Sequence, residues 1–431
     1  MYKLPYGEGE LSFTLPSSWE VELFETDFTA QEISARHDIR SKIKTALHNP
    51  LGTGLKSDFT SKDSVAVVIS DLTRPVPNTA LLSVLLPELE DRGVSRENIK
   101  ILVAAGLHRK LKHRDLIRLA GKKLVERYNF DCHDARDSAN LKKLGTTSRG
   151  TPLLINRDFL SADYRITTGL IDVHQFAGFA GGCKSITIGL GGSETICANH
   201  RLLEDDRARP GEYDNNPLRQ DIEEVLEHLE VHFSLNVILD EKNRVSQILA
   251  GDITRTHAAG REIIMDRVKL KTNRKFEVAI ISPGGYPKDI DLYQAQKALE
   301  PIRPLLKKGG TVILVAQCRE GFGDRGFQKL ISQADTPQCL INDFTASEFQ
   351  VGPHKAYLYA KFLKDYKLLL VSPDLDPVLQ QELPFKIYNS ISGAVRAVKE
   401  TGIDGAAQKP RVAVIPKASS IIAEVIKEKG Q

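Results

Sequence analysis

The sequence predicts an α/β protein of two domains built on mainly parallel sheets. Three observations lead there. At 431 residues the chain exceeds what one compact core ordinarily organises. Apolar, β-branched runs at 65–70, 101–104, 164–168, 278–282, 311–315, 368–371 and 412–415 are short and uninterrupted, as strands buried on both faces are. Most of them lead into stretches whose apolar residues recur every three to four positions, the spacing of helices that cover sheet faces.

Along the chain, residues 11–24 alternate apolar and polar around Pro16, which predicts short antiparallel strands. Helices are predicted at 79–90 with Asn78 as its cap, at 115–124, 221–229 and 256–268, and at 290–306 with an interruption at Pro301. The polar loop 207–217, RARPGEYDNNP, is of the kind that forms lids. A basic link at 269–275, KLKTNRK, marks a domain boundary. The expected division is therefore an N-terminal domain of 1–270 and a smaller α/β domain of 271–407. Residues 408–431, with a last strand at 411–416 after the Gly/Ala/Gln-rich stretch 402–409, are expected to return to the first domain.

Lys and Arg number 59 against 56 Asp and Glu, a net charge of +3, so no broad electrostatic footprint for nucleic acid is present. The five cysteines, Cys132, Cys183, Cys197, Cys318 and Cys339, are scattered and form no CxxC pair, so neither a disulfide framework nor a cysteine zinc site is signalled. The opening MYKLPYGEGELSFTLP lacks the pattern of a signal peptide, and no apolar run reaches membrane-spanning length. A reducing cytoplasm is the expected location.

Polar groups gather just past predicted strand ends, where the connections of an open α/β sheet leave a ligand crevice. They are Asp71-Leu72-Thr73-Arg74-Pro75, Gly106-Leu107-His108, Asp172-Val173-His174 and Pro283-Gly284-Gly285-Tyr286. Pro75 biases Arg74 toward extended backbone, and its guanidinium suits a carboxylate or phosphate, or else a surface salt bridge. His108 and His174 have the right titration range for acid/base work; core histidines and zinc ligands are the alternatives.

Residues 169–192, GLIDVHQFAGFAGGCKSITIGLGG, are studded with glycine, which lets backbone approach something closely. Lys184 in GGCKS departs from the Walker spacing because Cys183 stands where its glycine would be. Glycine amides near a helix start still favour an anion, and the lysine is open to a covalent cofactor link. His200 is one imidazole with no HExxH or paired cysteines beside it; it suits completion of the coordination of a metal already carried by an organic cofactor. Farther on, DIDLYQAQKAL puts Tyr293, Gln294 and Lys297 on one helical face, a solvated face being the plain alternative.

Taken together, Asp71-Leu72-Thr73-Arg74-Pro75, Gly106-Leu107-His108, His174-Gln175-Phe176-Ala177-Gly178, Gly182-Cys183-Lys184, His200 and Tyr293-Gln294-xx-Lys297 closely resemble the lactate racemase family over roughly residues 1 to 420. That family uses a nickel-pincer nucleotide. The resemblance implies a racemase or epimerase of 2-hydroxy carboxylic acids, working by proton-coupled hydride transfer through a 2-keto acid. It implies a covalent cofactor link at Lys184 and a nickel position filled by His200. Asp71, Leu72, Thr73, Arg74, Gln294 and Lys297 would surround the cofactor. Arg74, Tyr293 and Lys297 would hold substrate, and His108 and His174 would be the two acid/base groups. The active site would lie in the interdomain cleft, and other proteins would synthesise and insert the cofactor.

One departure concerns substrate. The lactate-specific members are expected to place a tryptophan of the second domain near the cofactor, whereas the only tryptophan here is Trp19. Phe349 or the stretch 351–355 is expected to take its place, which leaves open which 2-hydroxy acid is preferred. Two other readings of the same residues are a metal-dependent hydrolase with His108, His174 and His200 as ligands, and a non-catalytic nucleotide-binding protein.

Overall fold

The computed structural model describes residues 1–24, 39–240, 242–401 and 409–426. The chain divides into two compact units, one of Phe28–Arg267 and one of Met1–Asp27 with Val268–Gln431. Both are α/β, and each is built on a six-stranded, mainly parallel sheet.

In the first unit the strand order is Val245–Gly251, Phe233–Leu239, Tyr164–Leu170, Val65–Ser70, Ile99–Ala104 and Asn129–Cys132. All neighbours are parallel except the first pair. The apolar runs are continuous because both faces are covered: Val67, Ile69, Ile101, Val103 and Ile166 belong to one core with Leu81, Leu82, Leu85 and Leu89, and the intervening Val68 and Leu102 are equally buried. Each such side chain is worth roughly 1.5–3 kcal/mol over its exposed state. Ser70 lies opposite Ala104 in the parallel register, so the segments after both strands leave the sheet at one edge. Tyr164–Leu170, flanking Val65–Ser70 on the other side, delivers its own following segment to the same edge.

The second unit orders its strands Lys386–Tyr388, Lys367–Val371, Leu306–Val315, Phe276–Ile281, Arg411–Ile415 and Glu20–Leu23, all parallel. This corrects the expected division. Strand Arg411–Ile415 pairs with Phe276–Ile281 rather than returning to the first sheet, and Glu20–Leu23 extends the same sheet from the N-terminus. Trp19, 5% exposed, is part of this unit's core. Sequence distance says nothing about such pairings, because parallel neighbours are joined through long connections.

Other expectations change locally. Of residues 11–24, Gly9–Phe13 pairs antiparallel with Tyr2–Tyr6, but Glu20–Leu23 runs parallel to its neighbour. The basic link at 269–275 contains a strand, Lys269–Thr272, paired with Ile422–Val425. The helix expected at 115–124 is two, His113–Ala120 and Lys122–Arg127, divided at Gly121 with φ +87. Asn78 opens the helix Asn78–Asp91 instead of capping it; its amide donates to Ser70 O at 3.2 Å. Pro217–Glu223 and a 3-10 turn to Glu227 replace the helix at 221–229, and 290–306 is a series of short turns from Leu292 to Leu305. Residues 402–408 lie outside the described ones. No helix among the described residues is long and apolar enough to cross a membrane.

Candidate active site

Asp71 follows strand Val65–Ser70 and is almost fully buried. His108 Nδ1 donates to its Oδ2 at 2.7 Å, while Thr73 donates to Oδ1 from its hydroxyl at 2.6 Å and its amide at 3.2 Å. Burial alone pushes the Asp71 carboxyl up; the bonds from His108 and Thr73 outweigh it and hold the group below the ordinary carboxylate range. His108 itself is about half exposed. Its loop turns at Gly106, with φ +51, where a Cβ would come within 3.0 Å of Ile188 O, and Gly106 N bonds Gly189 O at 3.0 Å. The histidine loop is thus seated directly on the end of the lysine segment.

In that segment Gly181 (φ +81) and Gly182 (φ +60) turn the chain into a one-turn helix, Lys184–Thr187. A Cβ on Gly181 would lie 2.9 Å from Leu170 O, and one on Gly182 would lie 3.0 Å from both the Arg219 guanidinium and the His257 ring. Glycine is demanded here by the protein's own packing. Burial first, then the charges of Arg74 and Arg219, lower the Lys184 amine to about 7, against a weaker upward pull from Asp71. Near neutral pH much of this amine is unprotonated and nucleophilic. The adjacent Cys183 thiol is pushed well up, chiefly by burial and then by Glu223, so it is inert beside the lysine.

His200 sits near the end of helix Ser193–Arg201. Burial, reinforced by the charge of Lys184, lowers it to about 3, although a backbone bond at Ile196 acts the other way. It is a neutral imidazole, the form in which histidine binds metal. Phe176 stands between the histidines, its ring edge-on to His174 at 4.7 Å and to His200 at 5.6 Å. His174 Nδ1 accepts from Ala177 N at 3.1 Å and more weakly from Phe176 N at 3.5 Å. Among the described residues, no three His, Cys, Asp or Glu side chains converge as a metal site of their own. The three-histidine set of the hydrolase reading is therefore not assembled.

The predicted residues of the second unit gather separately. Asp291 caps the turn Leu292–Ala295 by accepting from Gln294 N at 2.6 Å, and Lys297 Nζ donates to Gln294 Oε1 at 2.7 Å. Burial, then Asp324 and Asp291, raise Tyr293 to about 12, so its phenol stays protonated. Phe349 packs against His354 at 6.0 Å, and His354 against Tyr293 at 5.9 Å. The expected replacement for the missing tryptophan is therefore linked to Tyr293 through one ring.

The structure brings Asp71, Thr73, Arg74, His108, Lys184, His200 and His174 to one edge of the first unit. It brings Tyr293, Gln294 and Lys297 together in the other. Sequence reasoning did not foresee the burial of two basic residues, one of them within the stretch 351–355. Arg219, 0% exposed, donates to Phe179 O at 3.1 Å and Gly181 O at 3.3 Å and pairs with Glu223 beneath the glycine segment. Lys355, also 0% exposed, donates to Gln296 Oε1 at 2.8 Å. Neither carries a signal, because charged residues near helix starts read as surface.

Over most of its length the chain is similar to known lactate racemases. The model of the lactate racemase N-terminal domain matches residues 6–211, and that of the lactate racemase C-terminal domain matches 271–423. The lactate racemase of Thermoanaerobacterium thermosaccharolyticum is 32% identical over 377 residues, covering 86% of this chain and 87% of the relative. That of Lactiplantibacillus plantarum is 30% identical over 387 residues, covering 88% and 90%. The structure of the lactate racemase apoprotein from T. thermosaccharolyticum superposes with a TM-score of 0.87 at 28% identity, covering 98% of this chain and 99% of that one.

Proposed function

This chain belongs to the lactate racemase family and is thus an isomerase; on that premise we propose that it racemises or epimerises 2-hydroxy carboxylic acids, lactate or a close relative, using a nickel-pincer nucleotide. The observation that carries this reading is the pair formed by the Lys184 amine, lowered to about 7, and the His200 imidazole, lowered to about 3, beside the Asp71–His108 contact. A nucleophilic amine and a neutral imidazole are the donor types that a covalently tethered, metal-bearing cofactor needs.

When bound, that cofactor supplies an electron-poor centre able to take and return the α-hydrogen of a hydroxy acid as hydride, which avoids deprotonating a weakly acidic carbon. Lys184 would hold the cofactor by the covalent link and His200 would be the nickel ligand. Asp71, Leu72, Thr73, Arg74, Gln294 and Lys297 would line the cofactor. Arg74 and Lys297 hold the substrate carboxylate, with Tyr293 as a neutral donor. One of His108 and His174 accepts the hydroxyl proton as the 2-keto acid forms. The opposite imidazole returns a proton when the alcohol is re-formed on the other face, so each serves one hand of the substrate. Cofactor synthesis and insertion fall to other proteins, and the cytoplasm remains the proposed location.

The test is incubation of cofactor-loaded protein with single enantiomers of a panel of 2-hydroxy acids, followed by chiral separation. Appearance of the opposite enantiomer or epimer is expected for at least one acid; none across the panel would end this reading. Intact mass should show a covalent adduct on the wild type, absent after Lys184→Ala.

A further inference from the structure

The two histidines differ in what their Nδ1 atoms meet. At His108, Nδ1 faces the Asp71 carboxylate at 2.7 Å, an acceptor only, so Nδ1 carries hydrogen and Nε2 presents a lone pair. At His174, Nδ1 faces the backbone N–H of Ala177 at 3.1 Å, a donor only, so Nδ1 is bare and the neutral ring carries its hydrogen on Nε2.

We propose that His108 and His174 are set in opposite tautomers, and that His174 enters proton transfer through Nε2 only after the turn at 174–177 releases its Nδ1. The chemistry requires the release. To accept a proton at Nε2, a neutral His174 must already hold its hydrogen on Nδ1. To donate from Nε2 and end neutral, it must finish with hydrogen on Nδ1. Both states put an N–H on the atom that now receives one from Ala177. His108 meets no such conflict, because Asp71 accepts from Nδ1 whether the ring is neutral or cationic. The consequence for catalysis rests on the racemase reading; the tautomers do not.

The turn is held by the polar loop 207–217. Val173–His174 pairs with Gly178–Phe179 in a two-residue ladder. Gly178, with φ +70, lies so close to this loop that an added Cβ would stand 1.8 Å from Glu212 O. Gly211 N donates to Gly178 O at 3.1 Å. Asn216 Nδ2 donates to Phe176 O at 2.9 Å and Glu212 O at 3.2 Å, while its Oδ1 caps the helix Pro217–Glu223 by accepting from Arg219 N at 3.1 Å. Asn216 is therefore the latch between loop and turn.

The experiment uses the full apoprotein labelled with 15N-histidine and reads the protonation of each ring nitrogen by two-bond 15N–1H correlation, with His108→Gln and His174→Gln for assignment. Hydrogen on Nδ1 of His108 and on Nε2 of His174 is expected; the same tautomer at both would overturn the proposal. Asn216→Asp keeps the capping oxygen and removes the latch donors. Amide exchange at Phe176 and Ala177 should then quicken about tenfold, the weight of one or two ordinary hydrogen bonds, and the Nδ1–H form of His174 should rise. Unchanged exchange with an unchanged tautomer would also overturn it. Asn216→Ser, which likewise retains a capping oxygen, serves if the aspartate variant does not fold. The expected tautomers without racemisation by the loaded enzyme would sink the racemase reading alone; racemisation with matching tautomers would sink this proposal alone.

Discussion

The edge that holds Lys184 and the turn that holds Lys297 place their lysines by opposite means. Lys184 rides on backbone constrained from both sides: Gly181 and Gly182 admit no side chain, and Gly106 and Gly189 are hydrogen-bonded across the two loops. Lys297 rides on a broken helix, Leu292–Ala295 followed by the 3-10 turn Gln296–Ala298, too short to be rigid through its own ladder. Side chains brace it instead. Lys355 and Tyr359, one turn apart on helix His354–Leu363, donate to Gln296 Oε1 at 2.8 Å and Leu292 O at 2.9 Å. In the proposed roles, bond formation at Lys184 would demand a fixed approach, whereas a carboxylate grip by Lys297 would tolerate a support made of two replaceable bonds.

The sharpest way to break this contrast is Lys184→Ala. Adduct formation should vanish from the intact mass, while unfolding by circular dichroism stays near that of the wild type. Retained attachment would show that another residue is the link. Next comes His108→Ala, expected to slow racemisation on the order of 10²–10⁴-fold. Asp71→Asn should cost less than His108→Ala yet remove the tautomer preference at His108. Equal rates for Asp71→Asn and wild type would separate the buried carboxylate from the reaction.

Lys355→Met and Tyr359→Phe probe the braced side. Each loses one buried hydrogen bond, about 1 kcal/mol, and is expected to raise KM several-fold with a smaller change in kcat. A fall in kcat at constant KM would mean that the brace acts on the chemical step. The smallest effect is a pH dependence. Burial lowers His133, whose Nε2 donates to Gly191 O at 2.9 Å, and lowers His257 well below its usual value beneath Gly182. Their folded values lie below the unfolded one near 6.5, so below that pH the unfolded chain binds more protons and stability falls. The urea midpoint should drop between pH 7.5 and 5, and His133→Gln should flatten part of the slope. A midpoint that rises on acidification would contradict this.

Much of the site was readable before folding was considered. The uninterrupted run at 65–70, short and β-branched, reads as a buried strand, which puts Asp71 at its end, and the same logic places His108 and the start of the glycine segment. What stayed hidden is the second layer. Arg219 and Lys355 are buried basic residues that bond backbone carbonyls and a glutamine distant in the chain, and a basic residue type alone reads as exposure. The opposed settings of His108 and His174 were equally invisible, since they depend on a carboxylate 37 residues away in one case and on the local path of a turn in the other.

By itself, then, the sequence determined the strands, the edge they share and the residue types that reach it, because apolar periodicity and chain direction are local properties. Only the tertiary structure decided that Glu20–Leu23 and Arg411–Ile415 complete the second sheet, that burial lowers the Lys184 amine and the His200 imidazole, and which nitrogen of each histidine carries hydrogen. Desolvation, hydrogen-bond polarity and parallel pairing are set by neighbours in space, and chain order does not specify those neighbours.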